Sequence, residues 1–160
     1  MMTRALALSF VLIAAATSTA CATDPAAREA ERLALYRSHA GEPVDSIQYL
    51  GSYSGWTPLG DKAFALWTRP SQAYLIDVHS PCIGLDFADS IGIRSFGGRI
   101  SARFDQVYVR GAAGGPSTCQ IREIRPLNVK ALRADEKRLR EERKMRRATD
   151  EPASAQASGG

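Results

Sequence analysis

Between Val44 and Pro126 apolar and polar residues alternate over runs of only a few residues, and Gly or Pro breaks almost every run. That rhythm has the period of a strand and leaves no room for long helices. Phe64, Leu66 and Thr68 alternate with Ala65 and Trp67, and Tyr74, Ile76 and Val78 alternate with Ala73, Leu75 and Asp77. With Pro70-Ser71 between them, Lys62 to His79 reads as a β-hairpin. Ile47 and Tyr49, then Ile91 and Ile93, then Ile100, Ala102 and Phe104, then Val107 and Val109, and last Cys119, Ile121 and Glu123 continue the pattern. Gly51 to Asp61 is rich in turn residues, Phe96-Gly97-Gly98 turns the chain, and Gly111 to Ser117 is a loop. Six or seven short strands this close together predict a small, mostly antiparallel β roll or partial barrel.

Helical signals flank this region, so the fold class is α+β. Asp24-Pro25 supplies an N-cap acceptor and a Pro at the first helical position, and strong helix formers follow to Ala40. Gly41 suits the residue after the helix, and Pro43 blocks its continuation. Pro126 ends the strands. From Leu127 to Ala148 a charged helix is expected, with Glu136–Arg140 and Glu142–Arg146 in the favourable i,i+4 order. Its large apolar residues thin out after Leu132 to Leu139 and Met145, so its first turns dock on the sheet and the rest projects into water. Thr149 to Gly160 is small and polar and reads as a disordered tail.

The charge is uneven. Residues 122–147 hold eleven Lys/Arg and five Asp/Glu, whereas residues 21–121 hold nine and ten. The basic character therefore belongs to the C-terminal helix. Arg133, Lys137, Arg140, Lys144 and Arg147 fall on one face and are the candidate contacts to an anionic partner: envelope polymers, lipid headgroups or another envelope protein. The ordinary alternative is a solvated helix held by its own Glu–Arg pairs.

The N-terminus has the order of an export signal: Arg4, the 12-residue apolar run Ala5–Ala16, then small residues. A membrane span needs about 20 apolar residues, so the run reads as a cleavable signal peptide of residues 1–20. Ser18-Thr19-Ala20-Cys21 resembles a bacterial lipobox, with Cys21 the lipidation site. Ser18 stands where that pattern prefers Leu, and the same residues fit ordinary signal peptidase, so both processing routes stand open. A lipidated Cys21 followed by Ala22 implies the outer membrane, on its periplasmic face; the other route leaves the protein free in the periplasm. Export also removes nucleic acid from the list of partners. With Cys21 set aside, Cys82 and Cys119 remain, and an even pair in an oxidising space reads as a disulfide, the alternative being two buried thiols. The resulting organisation is signal peptide 1–20, anchor and N-terminal helix 21–43, β domain 44–126, charged helix 127–148 and tail 149–160.

Several stretches carry a resemblance: Leu35-Tyr36 with Ala40-Gly41, Gly55-Trp56-Thr57-Pro58-Leu59, Ala73-Tyr74-Leu75-Ile76-Asp77, Pro81-Cys82, Arg103-Phe104-Asp105, and Cys119 through Leu127. Over roughly Asp24 to Lys130 the chain resembles a family of small proteobacterial envelope lipoproteins, typical of xanthomonad-type bacteria, with a domain of unknown function. The resemblance implies export, a Cys82–Cys119 disulfide and a compact β domain. It lends no catalytic residue.

Chemistry-bearing candidates are few. Asp77, His79 and Ser80 contain the residue types of a nucleophile–base–acid set, but on a strand Ser80 points away from the other two. His79, Cys82 and Asp86 lack a fourth metal ligand, and a disulfide removes the thiolate. Asp77, Asp86, Asp89 and Asp105 are enough carboxylates for a glycosidase-type pair, though acids at strand ends and turns are ordinary. Gly111–Gly115 lacks the Lys-Ser/Thr ending of a phosphate loop. No cofactor or metal is expected, and the chain reads as a non-enzymatic structural or interaction module. The alternative is a small-ligand-binding module lined by Trp56, Trp67 or Tyr74.

Overall fold

The computed structural model describes residues 24–79, 81–111 and 116–157. Cys21 and the expected signal peptide lie outside the described residues. Helix α1 (Pro25–Ser38) precedes eight strands: β1 (Ser46–Gln48), β2 (Gly55–Pro58), β3 (Ala63–Arg69), β4 (Gln72–Val78), β5 (Ser90–Arg94), β6 (Arg99–Ser101), β7 (Gln106–Arg110) and β8 (Ser117–Pro126). A 3-10 turn at Leu85–Phe87 interrupts the series, and helix α2 (Val129–Ala157) ends it. Six strands form one antiparallel sheet in the order β2-β3-β4-β8-β7-β5, and β1 pairs with β6 as a separate ribbon. The sheet curls into a half-barrel, the α+β arrangement expected from the sequence.

Alternation in β3 and β4 explains the layering. Phe64, Leu66 and Ile76 face the inside of the curl, where they meet Val107, Val109, Ile121 and Ile124 from the far strands. Ile47 and Ile100 enter the same core from the ribbon, which covers the open side. Trp56 packs edge-on against Phe64, with ring centroids 6.5 Å apart. Tyr53, just before β2, donates its hydroxyl to the Ile91 carbonyl of β5 at 2.6 Å, so the two edge strands are tied across the gap. The alternate residues Ala63, Ala65, Ala73 and Leu75 face outward and are covered by Tyr36 of α1 and Leu132 of α2. Small residues there let two helices lie close to the sheet.

A buried disulfide joins Cys82, in the loop after β4, to Cys119 on β8, with the two Cα atoms 5.7 Å apart. It closes a separation of 37 residues and pins the loop that carries the 3-10 turn.

Several local expectations change. Gly55–Pro58 is strand β2, although its Gly and Pro gave the segment a turn-like composition; pairing with the exposed side of β3 overrides that preference. Helix α1 stops at Ser38 with His39 as C-cap, and Ala40 bridges to Leu127. Gly41 is there for closeness: a Cβ on it would stand 3.3 Å from Pro126 Cγ. Helix α2 runs on to Ala157, through much of the expected tail and past Pro152. Among the described residues, its internal ion pairs are Arg138–Asp135 at 3.0 Å and Lys144–Glu141 at 3.6 Å, both i,i+3, in place of the expected i,i+4 pairs. Glu136 is drawn away by the Tyr36 hydroxyl, which donates to it at 3.0 Å. Residues 112–115 of the Gly-rich loop lie outside the described residues.

Candidate functional site

Helices α1 and α2 run antiparallel across the outer face of the sheet. His39 Nε2 meets Asp135 at 2.9 Å, Tyr36 meets Glu136, and Glu31 meets Arg143 at 3.8 Å, so rising numbers on one helix face falling numbers on the other. Between the two helices and the sheet side at Pro58 and Gly60 lies an open groove of about 1010 Å³. Leu35, Pro58 and Leu139 give it an apolar lining, and charged side chains from both helices crowd its rim.

Glu29 lies across Gly60, where φ is +99° and a Cβ would collide with the Glu29 carboxyl. Burial, then the nearby charges of Asp86 and Asp61, raise the Glu29 carboxyl above its ordinary value. One oxygen of Asp86 is buried and without a hydrogen-bond partner. These acids do not amount to a metal centre: among the described residues no group of three or more His, Cys, Asp or Glu is placed to hold an ion.

The basic residues singled out in the sequence divide in two. Arg133 is engaged with the sheet: its guanidinium sits 5.4 Å from the Trp67 ring centre and donates to the Pro70 carbonyl at 2.6 Å. Lys137 is exposed, while Arg140, Lys144 and Arg147 stand on the groove rim. Arg143 and Arg146 join them there. Sequence alone passed these two over, because helical spacing identifies a charged face but not which neighbouring element it meets.

The remaining candidates have structural tasks. Asp77 is only 4% exposed, held by Arg37 at 3.0 Å and Arg122 at 3.5 Å. His79 lies beyond β4 on the surface, and Ser80 is outside the described residues. Asp105 accepts from the Ser101 amide at 2.6 Å, and the Asp89 carboxyl packs against Gly111. Cys82 has no thiolate to offer. Of the three aromatic candidates, Trp56 packs on the inner core and Trp67 on the helix side, with its indole donating to Thr57 at 3.1 Å. Tyr74 accepts from Gln72 at 2.8 Å, and none of the three lines the groove between the helices.

Residues 2–143 match a family of unknown function (DUF6491). The chain belongs to that family. The matched span takes in both walls of the groove up to Arg143, and Lys144, Arg146 and Arg147 lie past its end. No curated protein and no solved structure matches the chain. Among the described residues no helix is long and apolar enough to cross a membrane.

Proposed function

We propose that this DUF6491 protein is an exported, lipid-anchored module of the bacterial envelope that works through its outer surface without catalysing a reaction. The anchor is Cys21 and the location is the periplasmic face of the outer membrane, as in the proteobacterial lipoproteins that the sequence resembles. The observation that carries this reading is the contrast between a filled interior and apolar side chains left in solvent. Phe64, Leu66, Ile76, Val107 and Ile121 occupy the inside of the curl at 0% exposure, whereas Phe96 and Phe104 are 91% and 82% exposed. These two flank the terminal Arg94–Gln106 pair of the β5–β7 ladder. Scattered exposed apolar residues are ordinary, whereas two phenylalanines on turns beside the same ladder end are where we place the partner contact. A disulfide also fits an oxidising compartment.

The test is the intact mass of the protein from its membrane fraction, with and without reductant, followed by photo-crosslinking from positions 96 and 104. Acyl mass on Cys21 and crosslinks to a discrete envelope protein are expected. An unacylated mass and no crosslinked partner would overturn the reading. The runner-up, a periplasmic small-ligand module, would then rest on the apolar lining of the helix groove, where an added ligand should raise the melting temperature.

A further inference from the structure

The antiparallel helix pair brings the beginning of the described chain to the distal end of α2. Pro25 lines the same groove as Arg143, Arg146 and Arg147. Only four residue steps separate Pro25 from Cys21, and a fully extended chain covers at most about 14 Å in that distance. Resting on the anchor proposed above, Pro25, one of the residues that line the groove, therefore stays within that reach of Cys21. The tether thereby keeps the groove's cations on the membrane-near side of the domain.

Charge decides what the rim meets there. Residues 137–147 hold seven Lys/Arg against Glu141 and Glu142. Arg143 is shared with Glu31 at 3.8 Å and Lys144 with Glu141 at 3.6 Å. Among the residues whose side chains the structure describes, no carboxylate pairs with Arg140, Arg146 or Arg147. On the other wall the Glu29 carboxyl lies against Gly60.

We infer that the 140–147 stretch of α2 is a second membrane contact, in which Arg140, Arg146 and Arg147 bind the headgroups of anionic phospholipid in the leaflet that holds the acyl chains. Several acyl chains on Cys21 would anchor firmly by themselves, so the basic patch orients the domain on the bilayer instead of holding it there. Each cation near an anionic surface is worth roughly fivefold in binding, within a Debye length of about 8 Å. The contact would lay the helix pair against the bilayer and turn the Phe96–Phe104 turns to a fixed side.

The test uses the chain from residue 21 to its end carrying Cys21→Ser, so that binding does not depend on acylation. It is sedimented with phosphatidylcholine vesicles, with and without phosphatidylglycerol. Binding only to the anionic vesicles, weakening as salt rises, is expected. The triple variant Arg140→Gln/Arg146→Gln/Arg147→Gln should bind about a hundredfold more weakly, as three fivefold losses compound. The variant Arg103→Gln, the same kind of charge loss elsewhere, should change binding less than about twofold if the α2 rim is the contact. Circular dichroism of each variant confirms that it is folded. No binding to anionic vesicles at low salt, or equal losses from the triple variant and Arg103→Gln, would overturn the inference. An unacylated mass for the native protein would instead remove the anchor while leaving the vesicle result standing.

Discussion

The two faces of the half-barrel are built from the same strands and are held by different means. The inner face carries the large residues of β3 and β4, closed by the β1–β6 ribbon and bordered by a buried disulfide. The outer face carries the small ones and is completed by two helices that bring polar contacts with them: Arg37 to Asp77, Tyr36 to Glu136 and His39 to Asp135. The inner face is therefore specified by volume, and the outer by how closely the helices approach and which polar groups they match. The outer arrangement leaves a groove because α2 is far longer than the patch of alanines it covers.

The sharpest way to break this comparison is Phe64→Ala. Phe64 is fully buried inside the curl, and truncation should cost about 4 kcal/mol in urea unfolding. A loss below about 1 kcal/mol would mean that the interior is not packed to the density of an ordinary core. Next is the disulfide. Replacing Cys82 and Cys119 with Ser should cost about 2–4 kcal/mol for a 37-residue separation, measured by the same transition. The outer face should respond less to single changes. Asp77→Asn removes the charge between Arg37 and Arg122, and both guanidiniums can return to water because they are half exposed. A loss of about 1–2 kcal/mol is expected, lower than for a fully buried pair.

Tyr36 gives the outer face a pH signature. Burial, then the Glu136 charge, pushes its phenol up to about 12. In the unfolded chain a phenol ionises near pH 10. The fold thus favours the neutral form, so its contribution is complete below about pH 10 and declines as pH rises towards about 12. Tyr36→Phe should flatten that decline in thermal melts taken across this range, at a cost of about 1 kcal/mol at neutral pH from the lost Glu136 bond. An unchanged slope would place the alkaline sensitivity elsewhere. The smallest effect belongs to Arg133→Gln. Losing the Trp67 and Pro70 contacts should cost about 0.5–1 kcal/mol, and a null result would mean that the first turn of α2 is held by Val129 and Leu132 alone.

Much of the β domain is legible before any coordinates. Alternation in Phe64–Leu66 and Tyr74–Val78 reports faces directly, because side chains on a strand change sides at every residue. In Cys119–Ile124 it breaks, because a bulge opposite Asp77–Val78 puts Ile124 in place of Glu123 on the inner face with Cys119 and Ile121. Asp24-Pro25 marks the start of α1 for an equally local reason, and the Asp24 side chain accepts from the Ala26 amide at 3.0 Å. The failures share a cause. β2 and the turn at Arg103, which has φ +69° without being Gly, depend on partners outside the segment itself: β3 for the first, and the Ile121 carbonyl for the second. The candidate site was half legible. A basic face on α2 follows from spacing, but Arg133's attachment to Trp67 and the placing of Arg143 and Arg146 on the same groove as Pro25 do not.

The sequence by itself determined what is local: where strands alternate, where the first helix begins, that positive charge gathers at the C-terminal end, and which two cysteines were available to pair. Tertiary structure decided which face of each strand became interior, that the half-barrel fills itself, and that the first residues of α1 meet the last basic turns of α2. Alternation and capping act over one to four residues and are written in neighbouring side chains. The direction in which a helix crosses a sheet depends on the summed packing of residues a hundred positions apart, such as Tyr36 and Glu136, and so exists only once the chain has folded.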